Sequence, residues 1–381
     1  MNHARARLWL GITSVGTLVV LAVVALALDL PGRLLPGPDA GLGPELAALA
    51  AAFGVYVVVS LPFDVVGGHV VPRRFGRSER SFGAFLVGWL RGVLVQGAWW
   101  VGLGLVVLQA SRAVSPWLGF ALVAVATGGL VLAQGVFARW VGGLRPSPRP
   151  VPTTGPASEL LGTRRVLAIE HDDVGFTGGW VGPPGREALL VPARWVRDLA
   201  PDRFEAELVR RGSVLRSGAR ERGLVLAAAF DLIGFGLAVF VLGGSLTSVA
   251  GLVTVSLWVT LWSFVGALIL PSLSRPGVYG ADRAASERGV DPTTLRETAR
   301  QLDRWQDDEP RRPRGVETIF HPIPAVEHRV EALDHRRPAG PGAWHTARVA
   351  LWLSWASLGL LGRAVHCNCG RPELWVLLPA D

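Results

Sequence analysis

The chain has 381 residues, half of them hydrophobic, with a mean hydropathy of +0.37, which excludes an ordinary soluble protein and fits a polytopic membrane protein. The formal charge is +8, carried by 38 basic residues that are all arginine. These arginines flank apolar segments, so they set orientation in a bilayer and do not mark a nucleic-acid interface.

Apolar blocks fall at 8–28, 45–66, 85–110, 117–140, 223–244, 247–271 and 346–362. A bilayer core takes about 20 residues per helix, so the first six blocks are long enough to cross. The seventh is short and holds Arg348 near its start, so it either spans or lies at the interface. The first block follows Arg5 and Arg7 and has no small-residue cleavage site before Asp29, so it is expected to be a retained anchor. Loops at 29–44 and 111–116 hold one Arg each, whereas 67–84, 141–222 and 273–345 are Arg-rich. The alternation predicts a cell-membrane, multi-pass protein with the N-terminus and both large polar regions on the cytoplasmic side. Five parts follow: a four-span region (1–144), a polar half (145–222), spans five and six (223–273), a second polar half (274–345), and a short C-terminal span and tail (346–381).

Within the polar halves the local signals are specific. A loop LPFDVVGGHVVPRRFGRSERSFGAFL (61–86) follows the second block, and a Pro-rich connector, RPSPRPVPTTGP (145–156), leaves the fourth. Residues 164–171 and 187–193 have strand composition, with Gly178, Gly179, Pro183, Pro184 and Gly185 punctuating the turn of a small β-hairpin. Leu199, Phe204, Leu208 and Leu215 recur at helical spacing, and Pro201 and Asp202 suit a first turn, so 199–218 is an amphipathic helix. Two further stretches stand out, SRPGVYGADRAASERG (274–289) and FHPIPAVEHRVEAL (320–333).

Together these stretches resemble the membrane-integrated zinc metallopeptidases of the CAAX prenyl protease and HtpX type, over about residues 50–335. In that family the active-site helix reads approximately L-S-P-E-E-L-E-A-V-L-A-H-E-L-G-H. Leu199, Ala200, Pro201, Asp202, Glu205, Ala206 and Leu208 keep its register. The resemblance then places the first histidine on Arg210, the glutamate on Arg211 and the second histidine on Val214. The family's third zinc ligand, a Glu in a pattern like E-F-x-A-D-x-x-A-A, falls on Val278, while Tyr279, Ala281, Asp282, Ala284 and Ala285 match. His321 and Arg329 correspond to a closing His-Pro…Arg motif, with a longer gap than the family's. Phe176-Thr177-Gly178-Gly179 stand where the family has an Asn-Ala hairpin motif beside a substrate-aligning edge strand. Here the strand is either a peptide-docking edge or a purely structural element.

The substitutions bear directly on chemistry. H-E-x-x-H offers two imidazoles from one helical face and a general base between them. Arg stays protonated and has no lone pair for a metal, and Val has no donor atom. A catalytic zinc takes three protein ligands, and Arg210, Val214 and Val278 supply none. No cofactor is therefore expected, and zinc enters only if other residues ligate it. One alternative set is Glu170-His171-Asp172-Asp173 with His321 or His328. Another is His366-Cys367-Asn368-Cys369 near the end of the chain, which holds both cysteines. Asp231 lies inside the fifth block, where a carboxylate is costly and often functional, unless it is simply hydrogen-bonded to Gln134 or Gln96. Asp64 is expected at a helix end near the interface.

The expected fold is an α-helical polytopic membrane protein of about seven spans, with a split cytosolic α-helical domain bearing a β-hairpin. The resemblance implies a pseudopeptidase that binds a peptide, a lipidated tail or a membrane-protein partner in a cleft holding Arg210, Arg211, Asp282, His321 and Arg329. Two alternatives stay open: an active zinc metalloendopeptidase with non-standard ligands, and a transporter or lipid-handling protein suggested by Asp231 and the span count. The two positive charges at Arg210 and Arg211 are expected to stand in for the lost zinc by pairing with Asp282.

Overall fold

The architecture comes from a computed structural model that describes residues 2–335, 342–354, 360–365 and 368–376. Among the described residues five helices are long and apolar enough to cross a membrane: His3–Ala27, Leu42–Arg74, Phe82–Ala113, Ala219–Phe240 and Val249–Ile269. Pro116–Leu132 and Gln134–Trp140 add a sixth crossing if they count as one span, but they meet at 75°. The seventh span expected over 346–362 is not seen among the described residues. There, Thr346–Leu353 is an eight-residue helix, about 12 Å long at 1.5 Å per residue against an apolar core of about 30 Å. It is buried against Ala219–Phe240 and Val249–Ile269.

Span two carries a single widened turn at Val66–Val70, VGGHV. The C-terminal segment docks here. A Cβ on Gly68 would stand 2.2 Å from the Gly370 carbonyl oxygen, and one on Gly67 would stand 2.6 Å from Cys369 Cβ. Only the two glycines let the backbones approach so closely. Asp64 then differs from expectation. It is buried, and it accepts from Trp89 Nε1 (2.8 Å), the Gly370 backbone N–H (2.7 Å) and Arg363. Arg363 also donates to Gln96 Oε1 at 2.8 Å and lies over the Trp375 ring at 4.4 Å. Two opposite charges inside a bilayer are tolerable only when paired, and the tail brings the partner that the sequence hides 299 residues away.

The polar regions 141–222 and 273–335 pack together, with Pro201–Arg216 against Pro271–Glu287 and Pro292–Gln306. Their sheet is larger than the expected hairpin. Strands β1 (Pro146–Pro150), β2 (Arg165–Ile169), β3 (Gly179–Val181) and β4 (Ala188–Pro192) run in the order β1-β2-β4-β3. β2 and β4 are parallel neighbours, and β3 forms the true hairpin with β4. The Pro-rich connector supplies β1, an exposed edge where missing N–H donors cost little. Gly178, at φ +68°, opens β3, and a Cβ there would lie 2.0 Å from the Leu190 carbonyl oxygen. All three residues of β3 are buried, so that edge is not open for a docking peptide, which favours the structural reading of the hairpin.

Behind the sheet, the helix Pro201–Arg216 packs on Pro271–Glu287, Pro292–Gln306 and Gly155–Leu161. It forms as expected, with Pro201 and Asp202 in its first turn. Its last turns are buried on every side from Ala206 to Leu215, which an amphipathic surface helix would not be.

Candidate functional site

The site is built on that fully buried stretch. Glu207 is the central acceptor. Arg210 donates to it through Nε (2.9 Å) and Nη2 (3.2 Å), and Arg211 through Nε (2.6 Å). These are i,i+3 and i,i+4 partners on one face. Arg211 Nη1 also donates to the Thr177 carbonyl (2.9 Å), and its guanidinium lies 4.6 Å from the Trp195 ring centroid. Trp180 of β3 donates its indole N–H to the Arg211 carbonyl at 3.3 Å. Thus the segment Phe176–Gly179 is tied to the helix that it faces. Arg210 and Glu207 are 2 % exposed and Arg211 is 0 % exposed, so both guanidinium groups are out of solvent.

Asp282 enters from the helix Pro271–Glu287. Arg329 grips it with two parallel bonds, Nε to Oδ2 at 2.9 Å and Nη2 to Oδ1 at 2.7 Å, the fork geometry that favours arginine at carboxylates. Arg210 Nη1 lies 3.7 Å from Asp282 Oδ1. The expected Arg210–Asp282 pair therefore exists, but as the weaker contact of a five-member chain running Arg211–Glu207–Arg210–Asp282–Arg329.

Val214 and Val278 do converge, and they do so in an apolar cluster with Ala219, Ala281 and Trp344. Trp344 comes from the short segment that follows Gly342. Its backbone N–H donates to the Ala219 carbonyl at 2.8 Å, and Ala343 N–H donates to the Leu273 carbonyl at 3.0 Å. Two close approaches admit this segment. A Cβ on Gly342 would lie 2.1 Å from Gly277 Cα, and one on Gly223 would lie 2.1 Å from the Trp344 carbonyl oxygen. Arg210 lies 5.9 Å from the Trp344 ring centroid. The sequence reading missed Trp344. Its only local signal is an aromatic residue beside small ones in Gly-Ala-Trp (342–344), which is too common to single out.

Other expected site residues are placed apart. His321 is buried beside Arg312, which its Nδ1 contacts, in a separate small cleft with Asp308. Burial, and then Arg312, push its pKa down to about 3. His328 pairs with Glu317 at 2.9 Å. Glu170 pairs with Arg197 (2.8 Å), and Asp173 with Arg371 (2.7 Å). His171 stacks on Phe176 with ring centroids 4.2 Å apart, and burial lowers its pKa. Glu170 and Asp173 are therefore each paired with an arginine, and among the described residues the 170–173 stretch forms no metal-competent group with His321 or His328. Asp231 is buried with Oδ2 lacking a hydrogen bond among the described residues. Gln134 donates to the Val376 carbonyl and Gln96 accepts from Arg363, and Asp231 Oδ2 bonds to neither. His366 and Cys367 lie outside the described residues. Cys369 is buried and donates to the Ala364 carbonyl at 3.3 Å.

Beside the Asp282–Arg329 pair opens a cavity of about 1020 Å³, lined among others by Tyr279, Arg275, Glu317 and His328. Its walls alternate in charge, which suits a polar or mixed-charge ligand. As for metal, Arg210, Arg211, Val214 and Val278 present two guanidinium groups and two isopropyl groups, and the donor set does not fit a zinc ion. Among the described residues no three His, Cys, Asp or Glu side chains cluster at metal-binding range.

Fold and site together define a polytopic helical membrane protein whose polar unit is centred on a buried arginine–carboxylate chain. The fold is similar to the crystal structure of S. mikatae Ste24p, with a TM-score of 0.65 at 12 % identity, over 84 % of this chain and 81 % of that one. No protein-family model matches the sequence, and no curated protein matches it significantly.

Proposed function

We propose that this chain is a membrane-embedded pseudopeptidase of the CAAX prenyl protease and HtpX type. It would bind a peptide, a lipidated tail or a membrane partner in the cavity beside Asp282 and Arg329, without hydrolysis. The observation that carries this reading is the state of the inherited positions: Arg210 and Arg211 are committed to Glu207, and Val214 and Val278 are sealed under Trp344. The fold likeness to Ste24p supports the scaffold half of the reading. Ligand chemistry supports the non-catalytic half, because losing every residue that would touch the metal exceeds the about 10–100-fold cost of losing one outer partner. In this reading the N-terminus and the polar unit are cytoplasmic, as the Arg-rich loops suggest. Cysteines placed at Ser217 and Ser286 should label from the cytoplasmic face.

The test is metal analysis of purified protein beside a peptide-cleavage assay. Substoichiometric zinc after dialysis and no chelator-sensitive cleavage are expected. Stoichiometric zinc with chelator-sensitive cleavage would establish the second reading, an active metalloendopeptidase with other ligands.

A further inference from the structure

A second cavity of about 330 Å³ lies within the apolar region, between His3–Ala27, Val249–Ile269 and Thr346–Leu353. Its walls include Gly11, Val15, Gly16, Phe264, Leu268 and Leu351, and its polar end is closed by Arg348 and Pro322. This volume is at the lower end of the range for ligand sites, about 300–1,000 Å³. Arg348 is the exception in an otherwise apolar lining. Its Nη1 is buried with no hydrogen-bond partner, and it forms no ion pair among the described residues. A buried cationic nitrogen without a partner is costly, and native proteins rarely leave one so.

The surroundings of Arg348 are basic. It also borders the small cleft that holds Arg7, Arg312, His321 and Asp308. The acids of this neighbourhood are engaged elsewhere. Asp308 accepts from Arg312 (3.4 Å), Glu309 from Arg5 (2.5 Å), and Asp307 lies 3.4 Å from His3 Nδ1. From Arg7 to Gly16 the first helix rises roughly 14 Å, about one leaflet's depth of hydrocarbon. The groove thus begins at the level of the basic helix end and runs inward along apolar side chains.

We infer that this groove is a site for an anionic phospholipid, with one acyl chain along Gly11–Gly16 and the headgroup phosphate at the Arg348 guanidinium. A phosphate at this position supplies an acceptor in a charge-assisted bond. A zwitterionic headgroup would bring its own cation against Arg7, Arg312 and Arg348. The inference is independent of whether the chain hydrolyses peptides.

Native mass spectrometry of the full chain, released from detergent and titrated with phosphatidylglycerol or phosphatidylcholine of identical acyl chains, tests it. Wild type should retain phosphatidylglycerol about tenfold or more over phosphatidylcholine, the ratio expected of one hydrogen bond to a charged group. Arg348→Gln should bring phosphatidylglycerol retention down to the phosphatidylcholine level, and Arg348→Lys should keep most of the preference. Gly16→Leu should reduce retention of both lipids by filling the groove. No described atom lies within 4 Å of a Cβ at Gly16, so that variant should fold. Equal retention of the two lipids by wild type, or undiminished phosphatidylglycerol binding by Arg348→Gln, overturns the inference. Retention of oleate in place of phosphatidylglycerol also overturns it, and would make the groove a free fatty-acid site.

Discussion

Removing Glu207 is the sharpest perturbation of the candidate site. Glu207→Ala deletes the carboxylate that accepts from both Arg210 and Arg211. Were the three side chains exposed, the loss would be about 0–1 kcal/mol. They are 2 %, 2 % and 0 % exposed, so the relevant figure is that for stranding a buried charge, about 3–5 kcal/mol. Arg210 keeps Asp282 at 3.7 Å, and Arg211 keeps the Thr177 carbonyl and the Trp195 face. Those residual contacts place the cost near the lower end, about 3 kcal/mol. A domain's whole stability is about 5–15 kcal/mol, so the polar unit should lose a large share. Thermal unfolding in detergent, followed by tryptophan fluorescence, should show a fall of roughly 6–12 °C for a unit of this size. The companion variant Glu207→Leu with Arg211→Met removes both charges together and should recover most of the loss, because buried pairs replaced by apolar residues are often neutral. A cost under about 1 kcal/mol for Glu207→Ala, or a double variant no better than the single, would refute the claim that this chain is a buried, mutually dependent network.

Three further outcomes are expected. Gly342→Ala places a Cβ 2.1 Å from Gly277 Cα, so it should expel Trp344 from its cluster and shift tryptophan emission to the red; unchanged emission contradicts the close approach. Arg363→Met should leave Asp64 uncompensated and free the C-terminal segment, read as faster proteolysis after Gly362 than in wild type. Asp303 has its pKa raised to about 7, first by burial and then by Asp308. Its protonated form therefore favours the folded state: that contribution is full below the unfolded pKa near 3.8 and is lost as pH rises through about 7. Asp303→Asn should accordingly gain stability relative to wild type between about pH 4 and pH 7, measured by urea midpoints at each pH.

Much of the scaffold was legible because its signals are local. The first six apolar blocks announce themselves by length, and Pro201–Arg216 by spacing and its first turn. The convergence of Val214 and Val278 was legible only through the resemblance, since nothing in either residue's neighbourhood points to the other. What stayed hidden depends on distant chain segments. The Asp64–Arg363 pair joins the second span to the tail, and an Asp near the end of an apolar block looks interfacial until its partner is known. β1 hid because five residues with three prolines do not have strand composition, although an exposed edge tolerates them. Trp344 hid because its docking rests on the glycines Gly223, Gly277 and Gly342, scattered over three segments. The seventh block, left open between a span and an interfacial segment, gives the short buried helix Thr346–Leu353, and its residues 355–359 lie outside the described residues.

The Asp64–Arg363 pair also constrains the order in which the protein is made. An isolated arginine at the centre of a membrane helix costs about 2.5–3.5 kcal/mol to insert, and the Leu360–Ala364 helix has only five residues with which to offset it. Its seat consists of Asp64, Gln96 and the Trp89 indole, all of which emerge from the ribosome long before Arg363 does. The tail thus meets a polar socket supplied by spans two and three. Until Arg363 is in place, the socket holds a carboxylate without its cationic partner, so spans two and three stay incomplete without the tail.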